Sequence, residues 1–226
     1  MERFLDVVLA SLALIFLSPL FIVVSLILSR TGEREVFYLQ ERIGLGEKKF
    51  KVIKFATMLK DSPNIGTGFI TIEGDPRVLP VGHFLRKTKI NELPQLLNIL
   101  VGDMSVIGPR PLTDQTFSKY PSDLQVLVRS VKPGLSGIGS IMFRDEESML
   151  RDAFASAEYY DRVITPYKGE LEKWFVSNKG LYVYIMAILV TIWVVMFPKS
   201  SLPWCAFRGL PKPPDSLQEH LNFKEM

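Results

Sequence analysis

Cysteine and histidine are nearly missing, at 1 Cys and 2 His in 226 residues. Cys205 alone cannot form an intrachain disulfide, and so few soft ligands cannot build a zinc site of the usual set. A disulfide scaffold and a zinc hydrolase are therefore excluded. A surplus of one charge is missing too: 27 Lys plus Arg against 24 Asp plus Glu leave +3 at pH 7. That balance is too weak to argue for nucleic acid, which is not an expected partner. No internal repeat is visible, and the length leaves room for one ordinary domain plus an appendage.

Apolar residues are plentiful. Hydrophobic content is 47% and mean hydropathy +0.18, while the 23% charged fraction is ordinary. The excess sits at the two ends. Val7 to Ser29 carries no charge, and as a straight helix it would reach about 34 Å, enough for a bilayer. The run is too long for a cleaved signal peptide and has no small-x-small site before Arg30, so an uncleaved anchor is expected. Ser18-Pro19 interrupts it, because proline removes a backbone donor and biases residue 18 away from helix, leaving two arms of about 16 Å. A kinked crossing helix and a helix-break-helix hairpin that returns to its own face both satisfy this pattern. Arg3 before the run and Arg30 and Arg34 after it remove charge asymmetry, which suits the hairpin better. The second run, Leu181 to Phe197, lies at the lower limit for a span and could cross or lie in the interface. Beyond it, Pro203, Pro211, Pro213 and Pro214 mark a proline-rich extension without a fold of its own.

Between the ends lies a soluble domain. Val36–Gln40 and Lys49–Phe55 read as strands, with Gly44 and Gly46 in the turn. Leu59 to Gly68 reads as a loop and Gly74-Asp75-Pro76 as a turn. Helices are expected over Asn91–Val101, Asp123–Val131, about Glu146 to Ile164 and about Pro166 to Ser177. The expected fold class is α+β. A re-entrant membrane helix-break-helix occupies 1–33, and a compact, mostly helical domain with a small β-hairpin occupies 34–178. An apolar helix that is membrane-associated or spanning covers 179–199, followed by the tail over 200–226.

Two segments carry candidate chemistry. Arg86-Lys-Thr-Lys-Ile-Asn-Glu-Leu-Pro-Gln95 brings bases to the start of a helix, where free N–H groups and the dipole attract phosphate. Gly108-Pro-Arg-Pro111 clamps Arg110 between prolines, which lowers the entropy lost in holding a planar fork ready for phosphate. Lys54 and Arg144 are further candidate cations. Taken singly, each of these also fits a solvated surface charge.

Together the segments resemble the bacterial sugar transferase family, the monotopic phosphoglycosyl transferases, from Phe4 to about Val190. The resemblance rests on linked motifs: the apolar anchor broken at Ser18-Pro19, Val36-Phe-Tyr-Leu-Gln-Glu-Arg-Ile-Gly44, Phe50-Lys-Val-Ile-Lys-Phe55, Leu85-Arg86, Asn91-Glu-Leu-Pro-Gln95, Gly102-Asp-Met-Ser105, Gly108-Pro-Arg-Pro111 and Lys132-Pro-Gly134. It implies transfer of a sugar-1-phosphate from a UDP-sugar to polyprenol (undecaprenyl) phosphate with release of UMP, assisted by Mg²⁺, as the first membrane step of surface glycan assembly. It also implies a bacterial inner-membrane location with the catalytic domain facing the cytoplasm, contact with membrane lipid, and downstream glycosyltransferases as a further class of partner.

In that family an Asp-Glu pair opens the central helix, and its aspartate takes the phosphosugar. This chain reads Asn91-Glu92 there, and a neutral amide is a poor nucleophile that brings no charge to a metal. Ala56 stands where arginine is frequent, Glu172 where aspartate is usual, and Gly137-Ile-Gly139 where the family has a Gly-Leu/Trp-Gln run. The resemblance thus assigns catalysis to Glu92 and Asn91, metal binding to Glu92, and phosphate binding to Lys54, Arg86, Arg110 and Arg144. Three readings stay open: turnover through Glu92 or a rearranged site, a catalytically silent homologue that binds substrate or scaffolds other glycosyltransferases, and an Asn91 engineered from aspartate to trap a complex.

Overall fold

The computed structural model describes residues 1–65, 71–72, 74–146 and 157–223. The end of the expected loop at Gly68, Glu147, and most of the expected helix from Glu146 lie outside these residues.

Helix α1 spans Glu2–Leu28 and is long and apolar enough to cross a membrane by length and composition. It passes through Ser18-Pro19 as one helix, where the sequence predicts two arms. The local reason is a substitution of donors. Pro19 has no N–H for the Ile15 carbonyl, and the Ser18 hydroxyl donates to that same carbonyl at 2.8 Å.

One face of α1 packs on the rest of the chain along its whole length. Asp6 is buried and accepts from Ser105 Oγ (2.9 Å), the Val106 N–H (2.8 Å) and Tyr184 OH (2.7 Å). Ala10 packs with Phe50, Val52, Leu96, Ile99 and Met104, and Val24 and Leu28 pack with Phe55 and Leu85. Arg3 donates to the Ile99 and Leu100 carbonyls at 2.5 and 2.8 Å, where a helix end leaves acceptors unpaired.

The hairpin is built as its alternation requires. β1 (Phe37–Ile43) pairs antiparallel with β2 (Lys49–Phe55), with Tyr38 opposite Lys54 and Arg42 opposite Phe50. Gly46 takes a positive φ of 64° in the connection, a conformation that favours glycine. Helix α2 (Pro80–Lys87) leads through Lys89, itself at φ 59°, into a 3₁₀ turn at Ile90–Glu92 and then α3 (Gln95–Val101). The single helix expected over Asn91–Val101 is thus a tight turn followed by a shorter helix. Asn98 of α3 locks it to the hairpin, donating to Lys51 O at 2.8 Å and accepting from the Ile53 N–H at 3.0 Å.

A second sheet was not legible in the pattern. β3 (Ser105–Ile107) pairs parallel with β4 (Gly134–Ser136) across α4 (Asp114–Ser118) and α5 (Ser122–Val128). The backbones touch closely enough to require glycine, since a Cβ on Gly108 would lie 2.4 Å from Lys132 O and one on Gly134 2.1 Å from Gly108 N. After α6 (Ile138–Met142), a π-helical turn at Tyr160–Ile164 opens α7 (Thr165–Ser177), followed by α8 (Leu181–Met196).

At 16 residues, α8 is about 24 Å long, short of a bilayer core. Tyr184, Ala187, Val190 and Val194 face the main core, while Leu181, Ile185, Leu189 and Ile192 face outward. The tail does not stand away from the domain. It forms α9 (Leu202–Ala206) and α10 (Asp215–Gln218), and buries Trp204, Phe207, Leu217 and Leu221 in the core that holds Tyr167, Leu171 and Phe175 of α7.

Candidate active site

Three elements converge on one carboxylate. The side chain of Lys54, from β2, and that of Arg110, from the loop after β3, both reach Glu92 Oε1 at 3.2 Å. Glu92 is presented by the 3₁₀ turn before α3, whose geometry is fixed by its N–H donating to Lys89 O at 3.1 Å. Burial works to raise the Glu92 pKa, but the charges of Lys54, Arg110 and Lys89 override it and hold the carboxyl well below the usual range. Burial pushes Lys54 down to about 8, with Glu92 opposing that shift. The Glu92 charge raises the Arg110 pKa.

Glu92 and Arg110 lie on the wall of a cavity of about 420 Å³, of the size that holds small ligands. Arg42, Lys89, Arg144 and Lys168 share this wall with Glu146 and Glu172. Arg42 reaches it from β1 and donates to Pro111 O at 3.1 Å, tying the strand to the Arg110 loop. Burial and the nearby Arg110 push Arg42 down to about 10, which leaves it charged at neutral pH. Lys168 pairs with Glu146 and stands 4.9 Å from the Phe143 ring centre, so its charge is largely spent inside the wall. Arg42, Lys89, Arg110 and Arg144 also stand on this wall, where an anionic ligand would meet them.

Glu172, on α7, is 4% exposed. One oxygen accepts from the Arg110 N–H at 3.3 Å, and the other is buried with no hydrogen-bond partner among the described residues. Burial pushes its pKa up to about 7. A carboxyl that is neutral for part of the population near neutral pH adds little repulsion to an incoming phosphate.

Of the predicted site residues, Glu92, Arg110 and Arg144 line the cavity, and Lys54 joins them through its pair with Glu92. Arg86 does not line the cavity and directs Nη1 toward Met58 Sδ at 3.7 Å. Asn91 is 7% exposed, is not on the cavity wall, and keeps a buried Oδ1 with no partner among the described residues. Sequence reasoning missed Arg42 as a site residue. The signal was present, because Tyr38, Gln40 and Arg42 alternate on one strand face and Tyr38 lies opposite Lys54. Glu146, Tyr160 and Lys168 were also missed, and nothing in their local pattern distinguishes them from surface charges.

The bacterial sugar transferase profile matches residues 1–198. This chain belongs to that family. An exopolysaccharide production protein, ExoY, of Rhizobium meliloti is 33% identical over 214 residues, covering 88% of this chain and 87% of the relative. The ExoY of Sinorhizobium fredii is 38% identical over 161 residues, covering 65% and 71%. A UDP-glucose:undecaprenyl-phosphate glucose-1-phosphate transferase of Klebsiella pneumoniae is 37% identical over 161 residues, covering 70% of this chain and 34% of that longer protein.

The residues that gather at the cavity all lie inside the family match, whereas α9 and α10 lie beyond it. Among the described residues, no group of 3 or more His, Cys, Asp or Glu side chains converges on a common point. Magnesium ordinarily binds through one or two carboxylates plus substrate phosphates.

Proposed function

We propose that this chain is a phosphoglycosyl transferase that moves a sugar-1-phosphate from a UDP-sugar to polyprenol phosphate and releases UMP. The observation that carries this reading is Glu92, a carboxylate held ionised between Lys54 and Arg110 on the wall of a cation-rich cavity. A diphosphate entering there meets Arg42, Lys89, Arg110 and Arg144. Names of the relatives, among them the undecaprenyl-phosphate galactose phosphotransferase of Salmonella typhimurium, support the same donor and acceptor classes.

Asn91 cannot attack phosphorus, which leaves Glu92 as the nucleophile. A Glu92 carboxylate oxygen forms a bond to the β-phosphorus of the donor, and the bond from that phosphorus to the bridging oxygen breaks, so UMP leaves with the electron pair. A phosphate oxygen of the acceptor then attacks the phosphosugar on Glu92, and the carboxylate leaves. Lys54 and Arg110, each 3.2 Å from Glu92, screen the approach of one anion to another. The strongly depressed pKa of Glu92 makes it a good leaving group in the second step. Glu92 and the donor diphosphate fit Mg²⁺ as joint ligands; when bound, that ion offsets the phosphate charge.

The membrane geometry belongs to the same reading. We take α1 to be a re-entrant anchor that enters and leaves on one face; the basic residues at both of its ends support this, while α1 itself is a single unbroken helix with one face against the domain. Arg3, Arg30 and Arg34 mark that face as cytoplasmic. Downstream glycosyltransferases would receive the lipid-linked product there.

Asn91 favours a second reading, a silent homologue that binds substrate without turnover. A UMP-release assay in detergent, with polyprenol phosphate and a panel of UDP-sugars, separates the two. Release with at least one donor supports the enzyme. No release with any donor, alongside retained UDP-sugar binding, supports the silent homologue.

A further inference from the structure

The cavity has two chemically different ends. Arg42, Arg110 and Arg144 stand at one, and the other is hydrocarbon, formed by Leu135 of β4 and by Ile188, Ile192 and Val195 of α8. Two hydroxyls beside these residues, Ser136 and Thr191, are already engaged. Ser136 Oγ and Thr191 Oγ1 lie 2.8 Å apart, and Thr191 also donates to Ala187 O at 2.6 Å. A sugar or a base placed there would lose hydrogen bonds to water without replacing them, whereas a hydrocarbon loses nothing. The apolar surface also continues outward along α8, where Ile192 is 54% exposed and Val195 46%. A ligand with one anionic end and one long apolar end matches both halves at once.

We propose that α8 is the wall along which the acceptor's isoprenoid chain lies, with its phosphate at the arginine end and its first units against Leu135, Ile188, Ile192 and Val195. This rests on the acceptor class proposed above and assigns it a place. α8 then has a function apart from anchoring: it aligns the acceptor phosphate with the Glu92 end of the cavity. Charge complementarity and the continuity of wall with outer helix face select a single-chain isoprenoid phosphate as occupant over a bulk phospholipid.

The test does not require turnover. Full-length protein in phosphatidylglycerol-containing vesicles is irradiated with a polyprenyl phosphate that carries a diazirine in its first isoprene units, and the labelled peptides are mapped. The expected label lies within 181–196 and is suppressed by unlabelled polyprenyl phosphate but not by added phosphatidylglycerol. Label confined to α1, no label, or equal suppression by both lipids overturns the assignment. If the protein is active, the surface double substitution Ile192→Gln with Val195→Gln should raise KM for a long-chain acceptor about tenfold. KM for the UDP-sugar and for a two-isoprene acceptor should stay unchanged. Leu189→Gln, 54% exposed on the same helix but outside the cavity, is the control for general membrane partition. An equal KM rise with Leu189→Gln overturns the proposal. An absence of UMP release overturns the catalytic reading alone, because the labelling result stands independently.

Discussion

Replacing Asp6 tests how the anchor is joined to the site. Its Oδ1 accepts from Ser105 Oγ, the Val106 N–H and Tyr184 OH at 2.7–2.9 Å, so one buried atom ties α1 to β3 and α8. In Asp6→Ala the Ser105 hydroxyl can rotate to another acceptor, but the Val106 N–H and the Tyr184 phenol cannot. Stranding a buried donor costs about 1–3 kcal/mol, so the loss should be about 3 kcal/mol. For a chain of this size that corresponds to a Tm lower by about 6–12 °C. Asp6→Asn keeps an acceptor oxygen and loses only the charge assistance, so its loss should be about 1 kcal/mol and its Tm shift about 2–4 °C. Thermal unfolding in one detergent, followed by far-UV circular dichroism, reads both. Because β3 leads directly into Gly108-Pro-Arg110, Asp6→Ala should also weaken UDP-sugar binding at temperatures below its Tm. An unchanged Tm in Asp6→Ala, or equal losses in the two variants, would refute the idea that an accepting oxygen at this position joins the three elements.

Other outcomes follow from the same geometry. UDP-sugar affinity should fall as pH rises from about 6.5 to 9. Glu172 gains negative charge as pH passes its value of about 7, and Lys54 loses positive charge at about 8, so both changes act against an anion. Calorimetry showing flat or rising affinity over that range would contradict this assignment of charges. Arg110→Lys should weaken UDP-sugar binding about tenfold or more, because a point charge cannot reproduce the guanidinium fork, while Lys60→Arg, at a surface pair with Glu35, should leave it unchanged. Similar effects from the two would mark Arg110 as an ordinary surface cation. Cysteines introduced at Glu2 and Glu35 should react with an impermeant maleimide from the same side of sealed vesicles, and labelling from opposite sides would rule out the re-entrant anchor.

Local pattern revealed the parts of this molecule that local chemistry builds. The hairpin could be read from alternating residues in Phe50–Phe55 and the glycines at 44 and 46, and its second strand has the expected bounds. Glu92, Lys54 and Arg110 could be chosen because their residue types suit phosphate chemistry. Their meeting at one oxygen depends on three chain segments, and only the family resemblance connected these in advance. The parallel β3–β4 pair was hidden because its strands are short and come from separated stretches. Their glycines at 108 and 134 look like turn residues until the close backbone contact is seen. Pro19 was read as a break because sequence alone does not reveal that the Ser18 hydroxyl would serve the Ile15 carbonyl. The tail reads as an extension without its own fold because its prolines outweigh the sparse apolar residues Trp204, Phe207, Leu217 and Leu221, whose partners in the core are distant in sequence. Glu172 was noted as a departure from the family, but its raised pKa comes from burial, which no local pattern contains.

The central claim is that the chain turns over through Glu92 although residue 91 is an amide. The direct measurement is UMP release by the native protein and by Glu92→Gln, paired with mass spectrometry of each after incubation with donor alone. The account predicts release and a phosphosugar adduct on Glu92 in the native protein, and neither in Glu92→Gln. Asn91→Asp should keep or raise the rate with the adduct still on Glu92, because residue 91 is buried and off the cavity wall. UMP release that survives Glu92→Gln would contradict the account and point to direct attack by the acceptor phosphate on the donor.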